Sequence, residues 1–322
     1  MARTISLLVF FGLSLAFSIV VHGQTAPVFN STPVETGTYN SDYLYEIITT
    51  DTEDDDRSIL LSSGSLPVGL TLFDNGDGTA SISGALLQTG AFPITLTVQE
   101  TSGTMQSSTQ SFTITVNKLT LTVTVDDQSR TYGSSNPALT VSYLGFVNGD
   151  DASNLTTAPT ASTAATVTSD IGGYAITASG GVDDNYTFNY VDGTLTITPA
   201  LLTATAEDKS KIFGTINPPL TVTYSGFLNG DDPGDIDNIP SISTSASQFS
   251  DVGAYLISLS GGTDNNYSFN LINGTLTITK AAATINISNL NQNFDGNPKP
   301  VATLTTPSGL TVAVTYNGSA TV

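Results

Sequence analysis

Cysteine and tryptophan are absent from the chain, and histidine occurs once, at His22. Without thiols there is no disulfide, no thiolate nucleophile and no cysteine metal site. The histidine lies in a segment that reads as a secretory leader. Arg3 supplies a positive start, Leu7 to Val21 form a run of fifteen largely apolar residues, and Val21-His22-Gly23 fits a small-residue cleavage site. That run is too short to span a bilayer and has no stop-transfer flank. Residues 1–23 are therefore expected to be removed, leaving Gln24 first. Export would permit disulfides, but no cysteine is there to form them. With His22 gone, imidazole bases and histidine metal sites go too.

Basic side chains are nearly as scarce: 8 Lys and Arg stand against 28 Asp and Glu, and Arg3 leaves with the leader. The seven that remain are scattered, which argues against nucleic acid, since phosphate binding needs clustered cations. Anionic membrane surfaces are disfavoured for the same reason, and no mature segment is expected to insert in a membrane. Charged residues make up 11% of the chain, under half the ~25% usual in soluble domains. Threonine fills the gap, with 51 residues. It is β-branched and half-polar, suited to the outer face of a strand. With 29 Gly and 14 Pro as punctuation, the composition reads as all-β.

Sliding the sequence against itself gives one dominant, ungapped offset of 81 residues. RTYGSSNPALTVSYLGFVNGDD from Arg130 lies over KIFGTINPPLTVTYSGFLNGDD from Lys211, and Ser169–Thr198 lies over Ser250–Thr279. About half of the aligned positions are identical. A unit of this length suits a small β-sandwich better than one turn of a solenoid. Alternation at Leu119, Leu121, Val123 and Val125 marks a strand. Asp192-Gly193, between Tyr186–Val191 and Thr194–Thr198, predicts a tight hairpin, repeated at Asn273-Gly274. Asn136-Pro137, Asn217-Pro218, Asn148-Gly149 and Asn229-Gly230 mark further turns.

Ahead of the repeats, residues 24–117 read as a separate domain. Strands are expected at Tyr43–Ile48, Ser58–Leu61, Leu70–Phe73, Thr79–Ser83, Phe92–Val98 and Ser111–Val116. The repeats then occupy 118–199 and 200–280, with almost no linker, so tandem β-sandwich domains stacked end to end as a stiff rod are expected. Residues 281–322 alternate at Ile285/Ile287 and Leu310–Tyr316 but lack the closing strand of the earlier units. They read as the incomplete start of a further domain in a longer chain.

The repeated YG…NPALTV…GFVNGDD…DDNYTF…DGTLTIT pattern resembles the MBG (mostly β, glycine-rich) repeat of the variety marked by Tyr-Gly. Tyr132-Gly133 matches, and Phe213-Gly214 departs by losing a hydroxyl. NQNFDGNPKPVATLTTPSGLTVAVTYNGSAT from Asn291 is similar to the opening of a related MBG variety. Leu66-Pro-Val-Gly-Leu70, Asp74-Asn-Gly-Asp-Gly-Thr79, Ile82-Ser-Gly84, Gln88-Thr-Gly-Ala-Phe92 and Ile94-Thr-Leu-Thr-Val98 resemble a bacterial Ig-like, or cadherin-like, module. The resemblance implies a secreted or outer-surface bacterial protein, and such modules serve as adhesin stalks; this is analogy from fold.

Asp51-Thr-Glu53-Asp54-Asp55-Asp56 is the densest acidic cluster. Hard cations take six to eight oxygens, and cadherin-like relatives hold Ca²⁺ in Asp-rich loops, so Asp51, Glu53, Asp54 and Asp56 are the metal candidates. The alternative is a solvated acidic turn. Asp74-Asn-Gly-Asp-Gly78 lacks the distal Glu of an EF-hand, since Ala85 falls there, and is expected to be a hairpin turn. Asp150-Asp151 and Asp231-Asp232, with Asp235 and Asp237, are turn residues first and calcium loops second. No catalytic residue is expected: acids lie in turns, no insertion builds a cleft wall, and no serine has an imidazole partner. Tyr186/Phe188/Tyr190 and Tyr267/Phe269 share a strand face, expected to be core in preference to a sugar-stacking surface. The expected function is a non-catalytic extracellular stalk giving reach and display, monomeric within a longer chain. A calcium-dependent glycan- or protein-binding module and the accessory stalk of a secreted hydrolase are the alternatives.

Overall fold

The computed structural model describes residues 25–53, 56–102, 105–293, 295–297 and 299–315. The leader, residues 1–23, lies outside them. The chain is all-β, with one short 3-10 turn at Ala152–Asn154 and no α-helix among the described residues.

Eight strands form the N-terminal domain: β1 (Val28–Phe29), β2 (Thr36–Thr38), β3 (Asp42–Thr50), β4 (Arg57–Ser63), β5 (Leu70–Asp74), β6 (Thr79–Ala85), β7 (Gly90–Glu100) and β8 (Ser107–Asn117). They lie in two four-stranded sheets, ordered β1-β3-β6-β5 and β2-β8-β7-β4. All six expected strands are present, each extended by one to several residues. Strict period-two burial in β3 sends Tyr43, Tyr45, Ile47 and Thr49 inward and the residues between them outward. Tyr45, Ile47, Ile82, Leu96 and Ile114 meet in one shared core at 0–2% exposure. At ~1.5–3 kcal/mol for each such side chain, this core and not any covalent brace holds the domain together. Asp74–Thr79 is the hairpin turn expected: Gly76 and Gly78 take positive φ, and Asp77 Oδ1 accepts from the Thr79 amide at 2.9 Å.

The first repeat contains β9 (Leu119–Val125), β10 (Gln128–Thr131), β11 (Val141–Leu144), β12 (Thr160–Thr163), β13 (Gly172–Ser179), β14 (Tyr186–Val191) and β15 (Gly193–Thr198). The second contains β16 (Ala200–Ala206), β17 (Lys209–Ile212), β18 (Val222–Ser225), β19 (Ser241–Thr244), β20 (Gly253–Ser260), β21 (Tyr267–Ile272) and β22 (Gly274–Thr279), followed by β23 (Thr284–Ser288) and β24 (Ala302–Thr306). Strand for strand, the two repeats share one topology. Sheets β11-β9-β14 and β10-β15-β13-β12 in the first correspond to β18-β16-β21 and β17-β22-β20-β19 in the second. In the second repeat, Ala204 and Ala206 of β16 share a core with Ile257 of β20 and Leu276 and Ile278 of β22, which makes it a β-sandwich.

The described residues fall into two compact units. One holds the N-terminal domain with Thr140–Ser162 and Thr177–Asp192; the other holds Asp127–Leu139, Thr163–Ile176 and the chain from Gly193.

The hairpins expected at Asp192-Gly193 and Asn273-Gly274 do not form. β21 pairs in parallel with β16, whereas β22 pairs with β17 and β20, so the chain changes sheets at Asn273. β14 and β15 part in the same way. Gly274 serves close approach instead of a positive φ: a Cβ there would lie 2.5 Å from the Ala206 carbonyl oxygen.

Candidate functional site

Each domain ends in the same device. A short strand runs parallel to the last strand: β2 beside β8, β10 beside β15, and β17 beside β22. An aromatic residue follows it at once, and its amide donates to the last carbonyl of the closing strand. Tyr39 bonds Asn117 at 2.9 Å, Tyr132 bonds Thr198 at 2.8 Å and Phe213 bonds Thr279 at 2.9 Å. The next residue adopts positive φ: Asn40 at 62°, Gly133 at 77° and Gly214 at 86°. A bend of that hand suits Gly and Asn, and it leaves the ring at the domain's exit.

Two of the three rings are covered by loops of the next repeat. In the unit holding the N-terminal domain, Tyr39 meets Tyr186 edge to face, with centroids 5.8 Å apart. In the other unit Tyr132 meets Tyr267 at 5.5 Å and 79°. Each receiving tyrosine is held alike. Phe146 packs across Tyr186, and Phe227 across Tyr267. The Tyr186 hydroxyl donates to Asp150 Oδ2 at 2.8 Å and accepts from the Val147 amide. The Tyr267 hydroxyl donates to Asp231 Oδ2 at 2.7 Å and accepts from the Leu228 amide.

Sequence explains the placement. Asn148-Gly149 and Asn229-Gly230 both have positive φ and turn the chain sharply, as expected, which carries Asp150 and Asp231 under the hydroxyls. Asp264 Oδ1 accepts from the amides of Asn266 and Tyr267, and Asp183 Oδ1 does the same for Asn185 and Tyr186. Burial pushes the Tyr186 hydroxyl up to about 12, with the Asp150 carboxylate adding to it. Tyr267 is raised further, by burial first and then Asp231.

Side-chain bonds complete both seats. Tyr132 adds its own hydroxyl to Asp231 Oδ2 at 3.1 Å. Asn266 donates to Asp170 Oδ1 and accepts from the Ile171 amide. In the other seat Asn148 donates to the Tyr39 hydroxyl, and Thr89 donates to the Asp184 carbonyl. The scattered cations are also engaged: Lys118 donates to the Asp183 carbonyl, Arg130 to that of Thr166, and Lys211 to those of Thr215, Ser247 and Gln248.

The carboxylates marked in the sequence are therefore largely engaged as backbone acceptors. Asp151 caps the 3-10 turn through Ser153, Asp232 accepts from Gly234, Asp235 from Asp232, and Asp237 from Asn265. Asp231, Asp235, Asp237 and Asp264 line a cleft of about 230 Å³ with Tyr132 and Tyr267. Of the calcium candidates, Glu53 accepts from the Thr25 hydroxyl at 2.9 Å, and the Asp56 carbonyl accepts from the Thr101 amide. Asp51 is half-buried in the same loop, and Asp54 lies outside the described residues. Among the described residues no three or more His, Cys, Asp or Glu gather around a point that would hold a metal ion. Tyr186 and Tyr267 are buried, whereas Phe188 and Tyr190 are half-buried and stacked at 6.1 Å.

Residues 121–196 and 202–277 match the family described as MBG domain (YGX type). The two repeats are MBG domains. Residues 283–322 match a further family described as MBG domain. No curated protein matches the chain. Similar solved structures include the I-band fragment I67–I69 from titin, 11% identical with a TM-score of 0.30, covering 81% of this chain and 100% of that one. Mouse cadherin-23 EC22-24 is 11% identical with a TM-score of 0.34, covering 80% of this chain and 99% of that one. A Bacteroides ovatus SGBP-B, solved with a mixed-linkage heptasaccharide, is 14% identical with a TM-score of 0.23, covering 86% and 76%. The Tyr-Gly that marks the MBG type is Tyr132-Gly133 in the first domain, which is the outgoing half of the seat just described. The N-G-D and D-x-N-Y motifs, Asn148–Asp150 and Asp183–Tyr186 in the first repeat and Asn229–Asp231 and Asp264–Tyr267 in the second, are the incoming half.

Proposed function

We propose that the chain is a non-catalytic extracellular stalk of tandem MBG domains, giving reach to whatever lies beyond it and displaying it away from the secreting cell. The observation that carries this reading is that the MBG signature residues are spent on joining one domain to the next. Their carboxylates accept backbone amides and tyrosine hydroxyls, and none of these pairs a nucleophile with a base. The leader expected at residues 1–23 supports export, and the acidic balance supports mutual repulsion between neighbouring chains. An adhesin-like protein of a bacterial surface is the setting that this composition suits. Small-angle scattering tests the reading. Adding one more MBG repeat should lengthen the particle by roughly 25–35 Å, the span of an eight- to ten-residue strand. A maximum dimension that stays constant would remove it.

Four acids of the β3–β4 loop, Asp51, Glu53, Asp54 and Asp56, support a second reading, in which Ca²⁺ orders that loop to present a glycan- or protein-binding surface. Three of them, Asp51, Glu53 and Asp56, are among the described residues, and crowded carboxylates are relieved by a divalent cation. A melting temperature that rises in millimolar Ca²⁺, and that stops rising in Asp51→Asn/Asp56→Asn, carries it. An unchanged melting temperature removes it.

A further inference from the structure

The joint between the N-terminal domain and the first repeat contains a cleft of about 590 Å³. Gln88 and Thr89 of the β6–β7 loop line it, with Asn117 and Lys118 where β8 leads into β9, and Asn185 just before β14. That size falls within the ~300–1,000 Å³ of small-molecule sites, which favour domain interfaces.

The wall carries hydrogen-bond donors that the protein leaves unused. Thr89 Oγ1 donates to the Asp184 carbonyl at 2.7 Å and to Asn185 Oδ1 at 3.4 Å, and Asp183 Oδ1 accepts from the Asn185 backbone amide. Asn185 is thus fixed with its side-chain oxygen engaged and its NH₂ group left over. Gln88 is held the same way, since its Oε1 accepts from the Val68 amide at 3.4 Å. Asn117 is exposed and engages neither side-chain atom within the described residues. Lys118 Nζ gives one hydrogen to the Asp183 carbonyl at 2.6 Å and keeps the others, an ammonium having three.

The joint between the two MBG domains treats the same asparagine differently. Asn266, the counterpart of Asn185, donates to Asp170 Oδ1 at 2.9 Å and accepts from the Ile171 amide at 3.0 Å. Both of its side-chain atoms are consumed by the preceding domain. Asn117 and Lys118 become Thr198 and Pro199 there, and proline brings no donor. The first joint therefore keeps its asparagine amide open and adds a second amide and an ammonium beside it.

The surroundings narrow the class of ligand. β7 and β8, whose ends border the cleft, are the inner strands of the order β2-β8-β7-β4, so no free sheet edge is offered to an extended peptide. Asp184 lines the same cleft and balances Lys118, and a chain with 28 acidic against 8 basic residues repels anions. Leu87, 39% exposed, adds an apolar patch. Amide and ammonium hydrogens match hydroxyl and ring oxygens, Asn117 Oδ1 and the Asp184 carboxylate accept hydroxyl hydrogens in return, and the leucine matches C–H faces. We infer that this cleft is a binding site for a neutral oligosaccharide, built jointly by the N-terminal domain and the first MBG domain and independent of Ca²⁺ at the β3–β4 loop. It goes beyond the stalk reading, which holds whether or not the joint takes a ligand.

NMR of the side-chain amides tests it, with the whole chain titrated in EDTA against cellotriose, maltotriose, xylotriose and mannotriose at millimolar concentration. At least one of these sugars should shift the NH₂ signals of Gln88, Asn117 and Asn185 saturably. Gln88→Ala/Asn117→Ala, which truncates two exposed side chains, should weaken that binding about tenfold at an unchanged melting temperature, and each single variant should weaken it less. No saturable shift with any of the four sugars would overturn the inference, as would affinity unchanged in the double variant. Binding seen with Ca²⁺ but abolished by EDTA would overturn it in favour of the β3–β4 loop. Equal shifts from sodium sulfate would overturn it in favour of an anion site.

Discussion

Tyr132 and Tyr267 share one acceptor: their rings meet edge to face at 5.5 Å, and both hydroxyls donate to Asp231 Oδ2. A single carboxylate thus ties a residue of one MBG domain to a residue of the next. Removing it strands two buried donors, a larger loss than removing either donor. Asp231→Ala should cost about 2–3 kcal/mol and Tyr132→Phe about 1 kcal/mol. Urea unfolding of the single variants and of the pair measures this. Because the residues share a partner, the losses should fall short of additivity. Strict additivity would mean that the hydrogen bond between them carries no energy.

Alkaline pH should release both seats. Burial and the Asp150 carboxylate hold Tyr186 up at about 12, against about 10 for a free phenol. A raised folded pKa means that folding favours the neutral form. The contribution is complete below about pH 10, falls as pH climbs, and is gone above about 12. The melting temperature should therefore be insensitive to this group at neutral pH and drop between those limits. Tyr186→Phe, lacking the titrating proton, should flatten part of that drop. Tyrosinate absorbance gives an independent check, since the difference between parent and variant should titrate late. A difference that titrates with the exposed tyrosines would contradict the assignment.

Most strands were legible because burial alternates with period two, as in β3, and turns such as Asn148-Gly149 carry their conformation in two residues. Asp192-Gly193 misled because a hairpin signal is local, whereas β14 and β15 are claimed by partners some seventy residues away, β9 and β10. Tyr39 was invisible for another reason. It occupies the place of Tyr132 in a domain without the repeat, and only a tyrosine followed by Asn, a residue tolerant of positive φ, hinted at it. Tyr186 and Tyr267 were rightly expected to be buried, but composition cannot tell a core within a domain from a seat between two. Arg130 and Lys211 carry no local signal: scattered cations argue against phosphate binding, but their spacing does not say which loop carbonyls they meet. Buried cations can equally serve as donors to a loop's carbonyls.

Lys211 should repay mutation for that reason. Its ammonium, 7% exposed as a residue, donates to three carbonyls, those of Thr215, Ser247 and Gln248. Lys211→Met keeps the stem and strands the acceptors, and should cost about 2–3 kcal/mol, the range for hydrogen bonds to charged donors. Lys211→Arg, which copies Arg130 of the first domain, should cost much less. Hydrogen exchange should quicken around 246–250 in the Met variant and stay near parent rates in the Arg one. Equal effects from both would point to lost packing instead of lost donors.

Gly133 and Gly214 offer the sharpest comparison between a filled seat and an open one. Both have positive φ, 77° and 86°, so alanine at either pays the left-handed penalty, roughly 1–2 kcal/mol. Only at Gly133 does the new methyl also run into a neighbour, the Leu228 side chain at 2.6–3.2 Å. That crowding should add about 1–3 kcal/mol and loosen the hold of Tyr132 on Asp231. Gly133→Ala should therefore be the more damaging of the two by chemical denaturation, and Leu228→Ala should recover part of the difference by making room. A Gly214→Ala variant as unstable as Gly133→Ala would show that its seat is already occupied in solution, and a rescue by Leu228→Ala that fails would place the strain in the backbone alone.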